Sequence, residues 1–591
     1  MAGLALDPRW GHQGCAEFAA NFQGSPMRPI VAPLVLALSL ALGACASGTA
    51  KAPASAASLP PPRPAGMAKT PPRLIVAVSV DQFSADLFAQ YRQHYTHGFA
   101  RLLQGAVFPS GFQSHAATET CPGHSTLLTG DHPARTGIIA NNWFAPASAR
   151  GAQPVYCAED ESDPASSAKN PVVSAVHLKV PTLGELMKAA DPRARNVAVS
   201  AKDRAVMMMG GHDIDAAYWW KGGQFVTLNG RALSPAAEAE NAEVGALIKA
   251  GAPAIEAPAW CASADHAVSV GKGAVGTFRF ALTADKPDML RISPRMDAAT
   301  VDLANRLVDE MQLGNAGRTD ILSVSLSATD YVGHATGTEG AEMCIQMAEL
   351  DKNLGRLFDH LDAAGIDYLV VLSADHGGLD TPERSDEQAF PRAVRADKSL
   401  MPAELAKAVS AKTGISTKGP LLIADGPFGD FYVSRELDAA QRAQVVRALL
   451  AIARAHPQVA AAFSGEELAN TPLPAGNPQD WTLKDRARAS FDPTRSGDAV
   501  ILLDRAVTPI PEPIPGAYIA THGSAFDYDR RVPILFWRKN MLGFEQPQPV
   551  ETVDIAPTLA AILGLKVREG QFDGRCLDLD AEAGNSCDRG Q

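Results

Sequence analysis

Two absences narrow the reading of this chain before any motif is considered. Positive charge is not in excess: 53 Lys and Arg stand against 65 Asp and Glu, giving a formal net charge of -12 and a pI near 5.6. General binders of nucleic acid or of anionic membranes need a basic surface, so both classes are excluded, and an anionic substrate needs cations gathered locally. A membrane-length apolar run is also missing. The run from Ile30 to Ala44 falls short of the roughly 20 residues that a spanning helix uses. What is present is an ordinary globular composition, 46% hydrophobic and 20% charged over 591 residues. That is enough for a large core with one or two inserted subdomains.

The amino end reads as an address rather than as fold. Met27-Arg28-Pro29 is a short basic start, the apolar run follows, and small residues close it, which is the pattern of an export signal over residues 27–46. Residues 1–26 lie upstream and would block that geometry, so the true start is expected at Met27. Leu42-Gly43-Ala44-Cys45 suits a lipoprotein processing site, with Cys45 lipidated and the protein anchored to the outer membrane. Ala44-Cys45-Ala46 suits simple cleavage to a soluble periplasmic or secreted product, and this reading is preferred. Residues 47–72, rich in Ala, Pro and Ser, are expected to be a disordered linker. Export implies an oxidising compartment. Apart from Cys15 and Cys45, an even set remains: Cys121, Cys157, Cys261, Cys344, Cys576 and Cys587. Six cysteines allow fifteen pairings. Cys576 and Cys587, close in the chain, are the expected pair, whereas Cys121 is open between a bridge and a buried thiol.

From residue 73 the chain alternates apolar strands with helices. Leu74–Val80 is a nearly continuous apolar run that ends at Asp81. Ile321–Leu326 runs into Asp330-Tyr331-Val332-Gly333-His334, and Tyr368–Ser373 stops at Asp375-His376-Gly377-Gly378. Such runs predict buried parallel strands. Between the last two, Met347, Leu350, Leu354, Leu357 and Leu361 recur at steps of three and four, which predicts an amphipathic helix. The class is therefore α/β, a mostly parallel central sheet with helices on both faces. The core is expected over 73–211, 301–380 and 501–591, interrupted by insertions at 212–300 and 381–500 that cap the active edge. Trp219 and Trp220 in the first insertion are expected to pack rather than to line an entrance. Helices are expected near 439–455 and from Val553 to a stop at Gly564.

The stretch from Thr118 to Asn142 organises the rest. Thr120 precedes Cys121, Pro122, Gly123 and His124, and an apolar run closed by Gly130 predicts a helix with Thr120 at its mouth. Backbone N–H groups and the positive end of the helix dipole gather there and suit an anion. A hydroxyl at that place is either an ordinary N-cap or a nucleophile for phosphorus. The choice depends on the strand ends, because the carboxyl edge of an open α/β sheet is where ligands bind. Asp81, Asp330, His334, Asp375, His376 and His522 supply three carboxylates and three imidazoles. That set suits two zinc ions, which take nitrogen and carboxylate oxygen, better than magnesium, which prefers oxygen and water.

Taken together, Asp81-Gln82, Thr120-Cys121-Pro122-Gly123-His124, the Asp330 to His334 and Asp375 to Gly378 motifs, Thr521-His522-Gly523 and Val553-Asp554-Ile555-Ala556-Pro557-Thr558 resemble the alkaline phosphatase superfamily. The resemblance runs from about residue 72 to the end. Thr120 in place of serine resembles the nucleotide pyrophosphatase branch and the Thr-nucleophile, phosphate-irrepressible alkaline phosphatases. It implies one zinc held by Asp330, His334 and His522, and another held by Asp81, Asp375, His376 and the Thr120 hydroxyl. It also implies that Asn141, helped by the Cys121 N–H, holds a phosphoryl oxygen, and that Lys202 and Arg204 are the pair that marks the monoesterases. The charge balance agrees, since a monoester carries one more unesterified oxygen than a diester and two extra cations suit it. The expected activity is hydrolysis of small-molecule phosphate monoesters through a phosphothreonine intermediate. A nucleotide pyrophosphatase or phosphodiesterase is the alternative. A non-catalytic phosphate-binding lipoprotein is a third reading, whose signature would be a missing ligand or nucleophile, and none is missing. A sulfatase is disfavoured, because its cysteine-derived nucleophile needs Cys-x-Pro with a following Arg, whereas Cys121 directly precedes Pro122. An additional structural calcium is compatible with so acidic a chain.

Overall fold

Alternation along the first strand explains the layering of the whole molecule. In the computed structural model, which describes residues 68–590 apart from Ala149, Ala316, Ala389, Pro391, Glu582 and Ala583, Leu74–Val80 is a strand buried along its full length. Leu74, Val76, Val78 and Val80 join one apolar core, while Ile75 and Ala77 join another on the opposite face. Successive side chains of a strand point to opposite faces, so both faces must be covered. One is covered by the Pro294–Met311 and Ala341–Ala363 helices, the other by Thr120–Thr129 and Ile555–Leu563. Met347, Leu350, Leu354, Leu357 and Leu361 are all fully buried, as their spacing predicts.

The strand pairs in parallel with Asp320–Leu326 on one side and Tyr368–Ser373 on the other, with Val78 opposite Val324 and Leu372. These three form the middle of a ten-stranded sheet. Asn196–Ser200 and Ala216–Lys221 extend it in parallel, and Gln224–Val226 closes that edge antiparallel. On the other side Arg531–Arg538 and Ala106–Phe112 add antiparallel pairings, and short Phe544–Glu545 and Val550–Glu551 pair with the latter in parallel. The mostly parallel α/β architecture expected from the sequence is the one found.

The long segments between core strands fold in two ways. Within 212–300, two strands belong to the central sheet itself, and Trp219 and Trp220 are packed at 4% and 8% exposure, Trp220 edge-on to Phe225. Within 381–500 lies the greater part of a second, antiparallel sheet of Leu422–Ile423, Gly429–Val433, Ala499–Leu503 and Val459–Ser464. It has its own core beneath the Pro402–Thr413 and Ala439–Arg454 helices, with Leu405, Val409, Phe431 and Leu449 buried.

Three disulfides use all six cysteines of the even set. Cys576 pairs with Cys587 as expected, Cys121 is bridged to Cys157 rather than free, and Cys261 is joined to Cys344 across 83 residues. A loop of that length constrains the unfolded chain by about 4.5 kcal/mol in a chain-entropy account. The export signal, Cys45 and residues 47–67 of the expected linker lie outside the described residues. No described helix is long and apolar enough to cross a membrane.

A buried imidazole joins the end of the Thr120 helix to the carboxyl-terminal segment. His132 Nε2 lies 3.0 Å from Glu551 Oε1 and Nδ1 lies 3.2 Å from Asp573 Oδ2, so only the protonated ring donates to both. Burial opposes the charge, but the hydrogen bonds to Asp573 and Glu551 outweigh it and push the pKa up to about 10. A folded-state pKa raised above the unfolded value stabilises fully below the unfolded pKa, and the contribution is lost as pH rises through the folded one. Between pH 7 and pH 10 the unfolding free energy should therefore fall by roughly 1 kcal/mol per pH unit more in the native chain than in His132→Gln. Denaturant titrations across that window should show the two slopes diverging, and parallel slopes would remove His132 from the account.

Candidate metal and phosphate site

Each of the three central strands delivers a carboxylate at its carboxyl end. Asp81 follows Val80 directly and its N–H donates to Leu326 O at 3.0 Å. Asp375 lies two residues beyond Ser373, and Asp330 rides on the Ala328–Thr336 helix that leaves the third strand. His334 sits four residues after Asp330 on the same helix, and its Nε2 is 3.2 Å from Asp330 Oδ1. The three carboxylates are at most 1% exposed.

The imidazoles share one construction. His334 Nδ1 faces Ala520 O at 2.9 Å, His376 Nδ1 faces Gly377 O at 2.8 Å, and His522 Nδ1 faces Thr118 O at 2.7 Å. A backbone carbonyl takes the Nδ1 proton in each case, which leaves Nε2 as a lone-pair donor aimed at the carboxylates. His522 Nε2 is 3.5 Å from Asp330 Oδ1, while His376 Nε2 is 3.5 Å from Asp81 Oδ1 and 3.3 Å from Asp375 Oδ2. Burial brings the His376 pKa down to about 3, so this ring stays neutral.

These residues fit divalent cations. Asp81 Oδ1 and His376 Nε2 are buried without a hydrogen bond, and buried polar atoms are rarely left so. Burial and the neighbouring Asp375 push the Asp81 carboxyl well above the usual carboxylate range, a balance that a cation among them reverses. Donor atoms of Asp330, His376 and His522 lie within 4.8 Å of one another, as do those of Asp81, His124 and Asp375. His376 thus lies between the two expected ligand sets. His334 approaches through Asp330.

His124 is the residue that sequence reasoning left without a role. Its Nδ1 lies 2.9 Å from Thr120 O and 3.1 Å from Asp375 Oδ2, and its Nε2 lies 2.9 Å from Ser325 Oγ. With both nitrogens engaged it orients Asp375 rather than offering a lone pair. Its place four residues after Thr120, on the same side of one helix, was the available signal.

Thr120 is the first residue of the Thr120–Thr129 helix, and the N-cap is Glu119, so the hydroxyl is not spent on capping. Gly130 closes the helix at φ 74°, in the left-handed region. The helix lies against the Asp375 main chain at Gly123, where an added Cβ would meet Asp375 O at 1.9 Å. Lys202 Nζ and Arg204 Nη2 both donate to Thr120 Oγ1 at 3.4 Å. Lys202 Nζ also lies 2.5 Å from Asp330 Oδ2 and 2.7 Å from Asp81 Oδ2, and so neutralises the two strand-end carboxylates together. The Cys121 N–H, expected to face a phosphoryl oxygen, instead donates to Asn141 Oδ1 at 2.8 Å. The Asn141 N–H donates to Glu119 Oε2 at 2.8 Å. Asn141 is thus held at two places, through its side-chain oxygen and through its main chain. Cys157, bridged to Cys121, follows Tyr156, whose hydroxyl donates to Asp203 Oδ1 at 2.6 Å beside Arg204.

A cleft of about 580 Å³ opens over this cluster, with Asn141, Arg204, Asp330 and His522 in its lining and Phe428 and Tyr432 contributed from the second sheet and its flank. All ten sequence-predicted site residues therefore converge here. Removing His124 tests the support beneath them. His124→Ala should lower metal affinity about 10- to 100-fold, as loss of an outer partner does, measured by competition with a chelator; unchanged affinity would reduce His124 to packing.

Comparison with known proteins places this geometry. The model of the type I phosphodiesterase / nucleotide pyrophosphatase family matches residues 75–525. Alkaline phosphatase PhoK of Sphingomonas sp is 53% identical over 523 residues, 88% of this chain and 93% of PhoK. Alkaline phosphatase PhoD of Zymomonas mobilis is 47% identical over 519 residues, 87% of this chain and 89% of PhoD. The crystal structure of wild-type alkaline phosphatase PafA superposes with a TM-score of 0.75 at 25% identity, covering 86% of this chain and 98% of that one. The chain belongs to the type I phosphodiesterase / nucleotide pyrophosphatase family, within the alkaline phosphatase superfamily.

Proposed function

We propose that the protein is an exported, zinc-dependent alkaline phosphatase that hydrolyses small phosphate monoesters, with Thr120 as the nucleophile. The observation that carries this reading is the convergence of Lys202 Nζ and Arg204 Nη2 on Thr120 Oγ1, each at 3.4 Å. Two fixed cations beside the attacking oxygen suit a dianionic phosphoryl group better than the singly charged group of a diester. Similarity to PhoK and PhoD, both described as alkaline phosphatases, points the same way. Disulfides at Cys121, Cys261 and Cys576 suit an oxidising compartment.

Asp330, His334 and His522 would hold one zinc, and Asp81, Asp375 and His376 with Thr120 the other. When bound, these ions supply the Lewis acidity that lowers the pKa of the nucleophile and eases departure of an alkoxide. Thr120 Oγ1 gives up its proton to solvent and attacks phosphorus in line; a bond forms between them as the ester P–O bond breaks, and the departing alkoxide takes a proton from water and leaves as the alcohol. Asn141 Nδ2, Lys202 and Arg204 hold the phosphoryl oxygens, so catalysis here is positioning plus charge compensation. Water then attacks the phosphothreonine, the P–Oγ1 bond breaks, and inorganic phosphate and free Thr120 are released.

Thr120→Ala should lower turnover of 4-nitrophenyl phosphate by at least about 10³-fold with an unchanged melting temperature. Turnover near the native rate would remove the covalent step. Replacing Lys202 and Arg204 together by Ala should cost the monoester about 10³-fold in kcat/KM, and bis(4-nitrophenyl) phosphate at least tenfold less than that. Equal losses would favour the phosphodiesterase reading that the family description also allows.

A further inference from the structure

A third cation reaches the cleft from outside the predicted site. Arg291 ends the short Pro287–Arg291 helix, which is anchored by fully buried Leu290, and it lines the same cleft as Asn141, Arg204 and His522. Its guanidinium lies over the Tyr331 ring, with Cζ 5.0 Å from the ring centre, and Lys202 Nζ lies 5.2 Å from that same centre. One aromatic ring thus carries both the cation that faces Thr120 and a second cation that lines the cleft. The Arg291 Nε is buried without a hydrogen-bond partner, and among the described residues no carboxylate pairs with the guanidinium. The other charged side chains lining the outer cleft, Glu119, Asp425 and Asp430, are acidic, and each is already engaged: Glu119 by the Asn141 N–H, Asp425 by Asn142 Nδ2, Asp430 by the Gly497 N–H.

An unpaired guanidinium, part-desolvated and held over an aromatic ring, is preorganised to take a planar or tetrahedral oxyanion through two donors. The transferred phosphoryl group already has Lys202, Arg204 and Asn141. A second anion near the first finds carboxylates elsewhere in the outer cleft and an available cation only at Arg291. We propose that Arg291 forms a second anion subsite that selects phosphate monoesters whose leaving group carries a further carboxylate or phosphate. This deepens the monoesterase reading and rests on it.

The test uses matched substrates on the metal-loaded enzyme. Glycerol 2-phosphate and 2-phosphoglycerate differ by a carboxylate close to the ester, and glucose 1-phosphate and glucose 1,6-bisphosphate differ by a more distant phosphate. In at least one pair, Arg291→Ala should lower the ratio of kcat/KM for the doubly anionic member to that for the singly anionic one by about tenfold. The loss should appear mainly in KM, and Arg291→Lys should restore part of the ratio. A substrate-dependent change of this kind is not produced by a general loss of packing, and metal content and melting temperature report packing separately. If Arg291→Ala leaves the ratio unmoved in both pairs, the subsite is overturned while the monoesterase reading stands. If the native enzyme turns over none of the four esters, the monoesterase reading itself fails and the subsite with it.

Discussion

Buried negative charge at the ends of three parallel strands is the constraint that the rest of the molecule answers. Asp81, Asp330 and Asp375 are carried to one place by the sheet's register, at most 1% exposed. Two such charges about 4 Å apart repel by about 4 kcal/mol even at an effective dielectric of 20, and each also loses its hydration. A fold that places them there must supply compensation of equal size. Lys202 spans two of the carboxylates, His124 holds the third, and imidazoles of His334, His376 and His522 are turned inward by backbone carbonyls. The apolar layers on both sheet faces make this arrangement rigid, because a shift of the Leu74–Val80 strand by one residue would exchange its two cores.

The site is built in two tiers that draw on different parts of the chain. Its floor consists of strand ends and helix starts from the central sheet, where geometry follows from backbone pairing. Its outer wall comes from the second sheet and from the segment ending at Arg291, with Phe428, Tyr432, Asp425 and Asp430 lining the cleft. The Cys121–Cys157 bridge ties the start of the Thr120 helix to the hairpin whose Tyr156 braces Asp203 and, through it, Arg204.

What the sequence made legible was whatever chemistry sits where a regular pattern stops. Three apolar runs ended in carboxylates, and Gly130 and Gly564 marked helix ends that the structure has in the left-handed conformation. The residues that escaped notice act through contacts between distant segments. Glu119 precedes Thr120 but works by holding the Asn141 main chain, His124 works on Asp375, and Arg291 acquires meaning only from Tyr331 forty residues later. The short strands Leu422–Ile423 and Gly429–Val433 were equally hidden, because so few residues carry little periodicity and their pairing is set by a partner at 499–503. Strands in the 212–300 segment were read as part of an insertion because nothing local distinguishes a sheet edge from a cap hairpin.

The contact at Gly123 has a consequence for how such a site can change. Between the hydroxyl-bearing helix and the strand end that carries Asp375 there is space for a hydrogen atom and no more, since a methyl group would overlap Asp375 O. The gap separating the Thr120 hydroxyl from the Asp375 strand end is therefore ruled by hard-core contact between two main chains, not by adjustable side chains. The outer wall can be rebuilt for new alcohols without touching that ruler, whereas a single carbon at position 123 would wedge the helix outward and carry the oxygen with it.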